Sequence, residues 1–286
     1  MSLKVIPSGA ALGAEISGVN LTENMDDATF EQIRQAFYRH EVVYFRGLEL
    51  SDDDHIRFSA RMGELRKVKQ MRHYTPRRPE LMVVSNIVEN GKHIGSYDAG
   101  MFWHTDGAHS EISPVASLLH AVEVPEKDGR ILGDTRFASM TAAYDALPAG
   151  MKKRIEKLEA LHSLYHRDEQ SRQSGNKPAE YNEEEKKKRL EKVHPVVRLH
   201  SATGRKCLYV SEGYTVRILG MPDDESRDLL AELTAHCVQP RFVYTHRWMP
   251  HDLIMWDDCS TQHKATFDYA LPLRRLMYRT TVTRFA

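Results

Sequence analysis

The chain has 286 residues, and its 41% hydrophobic content is sufficient for the core of one large domain or two small ones. Forty basic and forty acidic residues cancel, so the composition excludes a global attraction to nucleic acid or to an anionic membrane. There is no apolar run of about 18 residues and no secretory signal, so we predict no membrane partner.

Helical and extended patterns alternate in the first half of the chain. Asp26–His40 predicts a helix because its apolar residues recur on one face. Ser51, followed three residues later by Asp54, predicts the cap of a second helix. The full set predicted for this half is strands over Val42–Phe45, Leu81–Ile87 and 115–124, and helices over Asp26–His40, Ser51–Met62, Thr141–Leu147 and Lys152–Leu161.

The segment 166–194 interrupts this alternation, because it is almost wholly polar and includes the charged run Glu183–Lys188. Two interpretations remain open. It is either a solvated excursion with a charged helical tail or a mobile lid beside an active site. In both, residues 1–286 form a single domain that carries this polar insertion.

Strands dominate the C-terminal half, and this predicts a mixed α+β, β-rich fold. A hairpin is expected to join Pro195–His200 to Cys207–Ser211 through a turn at Gly204. Neither a Gly-x-Gly-x-x-Gly motif after a strand nor a Walker loop is present, so the sequence does not support a nucleotide-binding α/β architecture. The remaining predicted elements are a helix over Asp223–Cys237 and strands over Arg241–Thr245, Asp252–Trp256 and Leu276–Arg284.

The most informative stretch is Trp103-His104-Thr105-Asp106, together with the distant His263. Two histidines and one carboxylate can occupy one face of an iron(II) ion and leave three positions for a co-substrate and oxygen. His104 and Asp106 are two residues apart, which places both on the same side of an extended strand. The sequence therefore predicts a mononuclear iron site with His104, Asp106 and His263 as ligands and as the catalytic centre.

Cys259 lies four residues before His263, but we expect it to be a packed small residue, because a thiolate ligand would favour zinc over an oxygen-activating iron. Cys207, Cys237 and Cys259 are widely spaced and odd in number, which predicts neither a disulfide framework nor a zinc cluster. A reducing, cytoplasmic location is therefore predicted.

Two other classes of protein use similar ligands: a non-catalytic metal-binding β-barrel and a zinc-dependent hydrolase. Arg274, Arg275 and Arg279 follow His263 and argue against both, since neither class needs a clamp for a dicarboxylate. A halogenase would need the carboxylate ligand position vacated for a halide, whereas Asp106 is present.

Four segments in this order resemble the TauD/TfdA family, the taurine and 2,4-dichlorophenoxyacetate branch of the iron(II)- and 2-oxoglutarate-dependent dioxygenases. The resemblance covers nearly the whole chain and implies a double-stranded β-helix (jelly-roll) core flanked by helices. The segments are Trp103–Asp106; Gly133-Asp134-Thr135; His194–Arg198 with Thr203–Lys206; and Trp256-Asp257 through His263 to Arg275 and Arg279.

The resemblance implies Fe(II) as cofactor, with 2-oxoglutarate and O2 as co-substrates. It assigns His104, Asp106 and His263 to the metal, and Thr135, Arg275 and Arg279 to the co-substrate. Arg274 competes with Arg275, but alternation along a strand places Arg275 and Arg279 on one face and turns Arg274 away. The run from Asp128 to Gly133 departs from the consecutive glycines that are usual in the family.

The reaction implied is hydroxylation of a small, anionic organic substrate (a carboxylate, sulfonate or phosphonate, including aromatic ones), with release of succinate and CO2. The basic stretch Arg66–Tyr74 is either a solvated loop or the site that recognises this anion. Gly100 stands near the position at which taurine-oxidising members supply an asparagine, which disfavours taurine. The predicted substrate-binding residues are Lys69, His73, Gly100 and Arg279. Trp103 and Trp256 are expected to form walls of the pocket, because aromatic faces exclude water without competing for iron. The predicted partner is thus a small molecule, and a homo-oligomer (a dimer or a tetramer) is left open.

Overall fold

The computed structural model describes residues 2–68, 77–166, 168 and 191–286. Most of the predicted insertion at 166–194 therefore lies outside the described residues. The helices whose two ends both lie within the described residues are α1 (Asp27–His40), α2 (Asp52–Ala60), α3 (Met140–Asp145), α4 (Ala149–Ile155) and α5 (Asp223–Cys237). Residues 164–166 are also helical, and Pro240–Phe242 form a 3-10 turn.

Twenty strands occur in the described part of the chain. They are β1 (Lys4–Pro7), β2 (Ala14–Ser17), β3 (Val42–Phe45), β4 (Gly63–Leu65), β5 (Met82–Ser85), β6 (Val88–Glu89), β7 (Lys92–His93), β8 (Ala116–Glu123), β9 (Glu126–Lys127), β10 (Arg130–Ile131), β11 (Thr135–Ser139), β12 (Glu159–Ser163), β13 (Glu191–Pro195), β14 (Val197–Leu199), β15 (Lys206–Leu208), β16 (Thr215–Ile218), β17 (Val243–His246), β18 (Leu253–Asp257), β19 (Thr261–Ala265) and β20 (Leu276–Phe285).

An eight-stranded sheet spans the molecule in the order β1-β2-β3-β18-β8-β20, and β20 then pairs with β5 over its first half and with β4 over its second. All neighbours are antiparallel except β2 and β3. β20 thus has a partner on both sides over Leu276–Arg279, where it lies between β8 and β5, and its ten residues are largely shielded from water. This strand carries Arg279, and Arg275 immediately precedes it.

Helices α1 and α2 cover one face of this sheet. The predicted apolar stripe of α1 is confirmed, since Phe30, Ile33 and Phe37 are buried against strands of the large sheet. Asp26 caps α1 by accepting from the Thr29 N–H at 2.7 Å. The predicted cap of α2 is a full capping box formed by Ser51 and Asp54. The side chain of each residue accepts a hydrogen bond from the backbone N–H of the other.

The opposite face packs on a three-stranded sheet of order β17-β11-β19. Leu119 and Trp256 from the large sheet meet Phe137 from the small one in the core between them. Strands dominate both layers, so the predicted mixed, β-rich class of fold is confirmed. No helix among the described residues is long and apolar enough to cross a membrane.

The helix predicted over Lys152–Leu161 is wrong in its second half. The helix α4 ends at Ile155, and Glu159–Ser163 instead forms β12, which pairs with β13 and β16. The local sequence suits a helix, but hydrogen bonds to two distant strands and burial of Ala160, His162 and Ser163 override that preference. The hairpin β14–β15 and helix α5 are confirmed.

Candidate metal and co-substrate site

The three predicted ligands meet beside β19 of the small sheet, where His104 forms an isolated β-bridge with His263. The His104 and His263 backbones exchange hydrogen bonds of 3.2 Å and 2.9 Å, which fixes both side chains beside each other. The expectation of a continuous strand through Asp106 is wrong, because the chain enters a turn there. Gly107, at φ +59°, begins the departure from the sheet, so the turn directs the Asp106 carboxylate back towards the two histidines.

One ligand atom from each of His104, Asp106 and His263 lies within 4.8 Å of the other two, and all three residues are buried. The His104 Nε2 atom is 3.7 Å from Asp106 Oδ1, and His263 Nε2 is 4.0 Å from Asp106 Oδ2. These separations are too long for hydrogen bonds, although the side chains converge. Two imidazoles and one carboxylate around a common point fit iron(II).

A backbone hydrogen bond orients His104, and burial holds His263 in the neutral form that binds metals. The Nδ1 of His104 donates to the Phe102 carbonyl at 2.8 Å, so Nε2 is the ring nitrogen that faces Asp106. Burial, with the neighbouring His104 ring, lowers the pKa of His263 to about 3. The His263 ring therefore does not need to lose a proton at neutral pH before it can act as a ligand.

Asp106 is held ionised by Arg279, whose Nη1 donates to Asp106 Oδ2 at 2.8 Å. Burial disfavours the charged carboxylate, but the Arg279 guanidinium and the two histidines outweigh it and hold the pKa of Asp106 well below its ordinary value. The Ser117 Oγ atom lies 3.3 Å from Asp106 Oδ2 and 2.8 Å from Oδ2 of a second buried acid, Asp258. Burial and the charge of Asp106 raise the pKa of Asp258 well above its ordinary value.

Arg275 and Thr135, the predicted co-substrate residues, line the same cavity as the three ligands. Arg275 is buried and donates to the Gly133 carbonyl at 2.5 Å, but no carboxylate among the described residues lies within ion-pair distance of it. Burial lowers the pKa of Arg275, and the neighbouring Tyr269 opposes this. A buried guanidinium without an anionic partner is costly, so an external carboxylate bound at Arg275 would be favourable.

Gly133 has a steric role here. It adopts φ +78°, and a Cβ atom at this position would lie 2.1 Å from Arg275 Nη1. The run from Asp128 to Gly133 differs from the family's consecutive glycines, and its first two residues, Asp128 and Gly129, form the turn between β9 and β10. Thr135 still begins β11, and its Oγ1 accepts from Trp248 Nε1 at 3.0 Å.

The competing residue Arg274 lies on the surface, where its Nε is 3.1 Å from Glu123 Oε1. Arg274 does not line the cavity, whereas Arg275, Arg279 and Thr281 all do. The geometry therefore agrees with the alternation predicted for this strand.

The cavity measures about 660 Å³. Gly100 lies on its wall beside Ala265, while Lys69 and His73, also predicted to contact the substrate, lie outside the described residues. Trp256 lines the cavity and its ring centre is 4.9 Å from that of His263. We expected Trp103 to form a second aromatic wall, and this is wrong. It packs into the core beside Met140 on the other side of the small sheet, and Phe102 takes the wall position.

A second group, His200, Asp257 and Cys259, also has its ligand atoms within 4.8 Å of one another. Its hydrogen bonds are already satisfied, since His200 Nε2 donates to Asp257 at 2.6 Å and Nδ1 accepts from the backbone at Ala202 and Thr203. Burial raises the pKa of Cys259 well above its ordinary value, so the thiol keeps its proton. The expectation that Cys259 is a packed residue agrees with this arrangement.

Sequence reasoning did not single out Arg66 or Asp258, which both lie near Asp106. Arg66 lines the cavity but was only one cation in a basic stretch, and its place depends on the pairing of β4 with β20. Asp258 follows a predicted strand, and only its hydrogen bonds to Ser117 and to Trp256 Nε1 connect it to the site. Neither residue has a periodic signal that would identify it.

The model of the family described as taurine catabolism dioxygenase TauD, TfdA matches residues 4–281. Pentalenolactone F synthase of Streptomyces arenae is 34% identical, over 100% of this chain and 96% of its own length. The alpha-ketoglutarate-dependent 2,4-dichlorophenoxyacetate dioxygenase of Cupriavidus pinatubonensis is 33% identical, over 98% of each chain. Among solved structures, AAD-2 in complex with Mn(II) and N-oxalylglycine superimposes with a TM-score of 0.82 at 30% identity, covering 100% of this chain and 99% of its own.

These matches confirm the family and the class of enzyme predicted from the four segments. The chain belongs to the taurine catabolism dioxygenase TauD, TfdA family and is a non-haem iron(II)- and 2-oxoglutarate-dependent dioxygenase.

Proposed function

We propose that this enzyme hydroxylates an anionic organic substrate and releases succinate and CO2. The observation that carries the proposal is that one cavity contains both the convergent His104, Asp106 and His263 and the buried Arg275, which has no carboxylate partner among the described residues. A metal site alone would not need this second, separate cation.

His104, Asp106 and His263 are the proposed iron ligands. When bound, iron(II) and 2-oxoglutarate supply the oxidising chemistry, and the protein contributes binding, orientation and exclusion of water. Asp106 provides the one negative charge of the ligand set, and Arg279 fixes the orientation of that carboxylate. Phe137 and Trp256 pack against the His263 ring, so water cannot approach it from that side.

Arg275 is the proposed anchor for the carboxylate of 2-oxoglutarate that is far from the metal, and the Thr135 hydroxyl is the proposed second donor. A planar guanidinium holds a carboxylate by charge-assisted hydrogen bonds, which also set its direction. The Thr135 Oγ1 accepts from Trp248, so its own proton is directed away from the indole and remains available for a ligand oxygen.

The anionic substrate class is supported by the family and by a relative whose name specifies 2,4-dichlorophenoxyacetate. The intact Asp106 favours hydroxylation over halogenation. We further propose that the two facing sheets form a double-stranded β-helix core and that residues 1–286 are one dioxygenase domain with a polar insertion at about 166–194. The cytoplasmic location and the homo-oligomer remain predictions.

The proposal is tested by adding iron(II) and 2-oxoglutarate to the protein without oxygen, where a weak visible charge-transfer band should appear. The variants His104→Ala, Asp106→Ala and His263→Ala should lose the band and iron-dependent succinate formation. Asp145→Ala is the matched control, because it removes an exposed carboxylate remote from the cavity. Unchanged succinate formation in any of the three ligand variants would contradict the assignment, as would higher activity with zinc than with iron.

A further inference from the structure

Arg66 is a third arginine of the cavity, and it comes directly after β4. Its backbone N–H donates to the Thr281 carbonyl of β20 at 2.8 Å. Its Nη2 donates to the Ile112 carbonyl at 2.7 Å, in the loop that follows Asp106. The side chain therefore reaches from the edge of the large sheet across to the loop beside the proposed metal site.

Within the described part of the chain, Arg66 has no carboxylate partner of its own. Arg279 is paired with Asp106, and Arg275 is the proposed partner of 2-oxoglutarate. No carboxylate oxygen of the described residues lies within ion-pair distance of Arg66, and Glu80 on the cavity wall faces the exposed Lys67 at 3.6 Å. Burial and the nearby Arg279 lower the pKa of Arg66 by more than Asp106 and Asp258 raise it, so an anion bound there would favour the charged guanidinium.

The cavity that Arg66 lines is large and has both polar and apolar walls. 2-Oxoglutarate, at the packing density of proteins, fills roughly 150–200 Å³, which leaves most of the 660 Å³ cavity for the substrate. Its apolar lining includes Val68, Met82, Phe102 and Phe267. A substrate as small and polar as taurine would leave these surfaces without contacts.

We propose that Arg66 is the main anchor for the anionic group of the substrate, and that the substrate is an amphiphilic monoanion with an apolar body of about eight or more non-hydrogen atoms. This inference rests on the proposed function. The anionic group is an oxyacid, whether carboxylate, sulfonate or sulfate ester, because all three present the oxygens that a guanidinium binds.

The test uses enzyme loaded with Mn(II) and N-oxalylglycine, which cannot turn over. Octanoate, octane-1-sulfonate, octyl sulfate and the neutral octanamide, whose linear apolar tails have seven or eight carbons, are titrated calorimetrically. The variants are Arg66→Gln, which keeps a donor for the Ile112 carbonyl, and Arg66→Lys, which keeps the charge. Lys67→Gln is the matched control, because it removes an exposed positive charge one residue away.

At least one of the three anions should bind about 10- to 100-fold more tightly than octanamide, as expected for a charge-assisted hydrogen bond. Arg66→Gln should abolish this difference, Arg66→Lys should keep most of it, and Lys67→Gln should equal the unmodified enzyme. Acetate should bind more weakly than octanoate. The preferred head group then identifies the oxyacid.

The inference is overturned if octanamide binds as tightly as all three anions, or if Arg66→Gln keeps the preference. Stabilisation of each variant by Mn(II) and N-oxalylglycine shows that it is folded and that the co-substrate site is intact. If that ligand pair fails to stabilise the unmodified enzyme, the proposed function itself is contradicted. The two failures are therefore distinguishable.

Discussion

Gly133 provides a sharp test of the co-substrate site, because its lack of a side chain leaves room for Arg275. In Gly133→Ala the new Cβ would lie 2.1 Å from Arg275 Nη1 and 2.9 Å from the Tyr269 ring. The guanidinium is the flexible end of its side chain, so it can move away. Any such movement displaces the group that we assign to the distal carboxylate of 2-oxoglutarate.

Gly133→Ala should affect both the stability of the protein and the binding of 2-oxoglutarate. Alanine at φ +78° costs about 1–2 kcal/mol of stability through backbone strain alone. Loss of a charge-assisted hydrogen bond from Arg275 weakens the binding of 2-oxoglutarate by about 1.5–3 kcal/mol, which corresponds to a KM raised about 10- to 100-fold. The assays are urea denaturation for the first part and the KM for 2-oxoglutarate, measured by succinate formation, for the second.

Gly129→Ala is the matched control. Gly129 has nearly the same backbone angle, φ +75°, but a Cβ there meets nothing within 4 Å. Both variants should therefore be destabilised by similar backbone strain, whereas only Gly133→Ala should raise the KM. Equal KM values in the two variants would refute the role of Arg275, since steric displacement of its guanidinium would then have no effect on the co-substrate.

Two predictions concern buried acids away from the cavity. Burial raises the pKa of Glu41 from 4.5 to about 7, so the folded protein binds the more protons between these values and loses up to about 3 kcal/mol of stability as the pH rises through them. Glu41→Gln should flatten this dependence in urea denaturation at pH 5 and pH 8, and parallel curves for both proteins would contradict it. Asp252 is fully buried and accepts from Arg46, from His246 at 3.1 Å and from the Met249 N–H at 2.8 Å. Asp252→Ala should cost about 3–5 kcal/mol, because it leaves a partly buried guanidinium without its carboxylate, and a loss below about 1 kcal/mol would disprove this account.

The elements that sequence predicted well are those whose signals are local. α1 has a capping aspartate and a one-sided apolar stripe, and α5 has three acidic residues in its first turn and buried leucines on one side. Glu159–Ser163 carries no comparable signal, because its strand identity comes from partners some 30 to 60 residues away in the chain. Local preference alone therefore extended α4 too far.

The residues of the candidate site also differ in how well the sequence predicted them. His104, Asp106 and His263 were predicted because their order and neighbours resemble a known family, although the bend at Asp106 was not. Trp103 was misplaced, because the bridge between His104 and His263 turns it towards Met140 rather than the cavity. Arg66 and Asp258 were missed, because their position depends on sheet register and on buried hydrogen bonds that a single sequence does not display.

The register of β20 also gives a physical reason why the proposed co-substrate and substrate anions would bind at separate places in the cavity. Alternation along the strand turns Arg275, Arg279 and Thr281 to the cavity, and Arg66 bonds to the backbone of Thr281. At about 3.3 Å per residue, Arg275 and Arg279 are separated by roughly 13 Å along the strand, and Arg66 lies further on. Arg279 is paired with Asp106, whereas Arg275 and Arg66 have no carboxylate partner among the described residues. In the proposed function, Coulombic attraction would therefore direct the co-substrate carboxylate and the substrate anion to different ends of the cavity, with the reacting region between them.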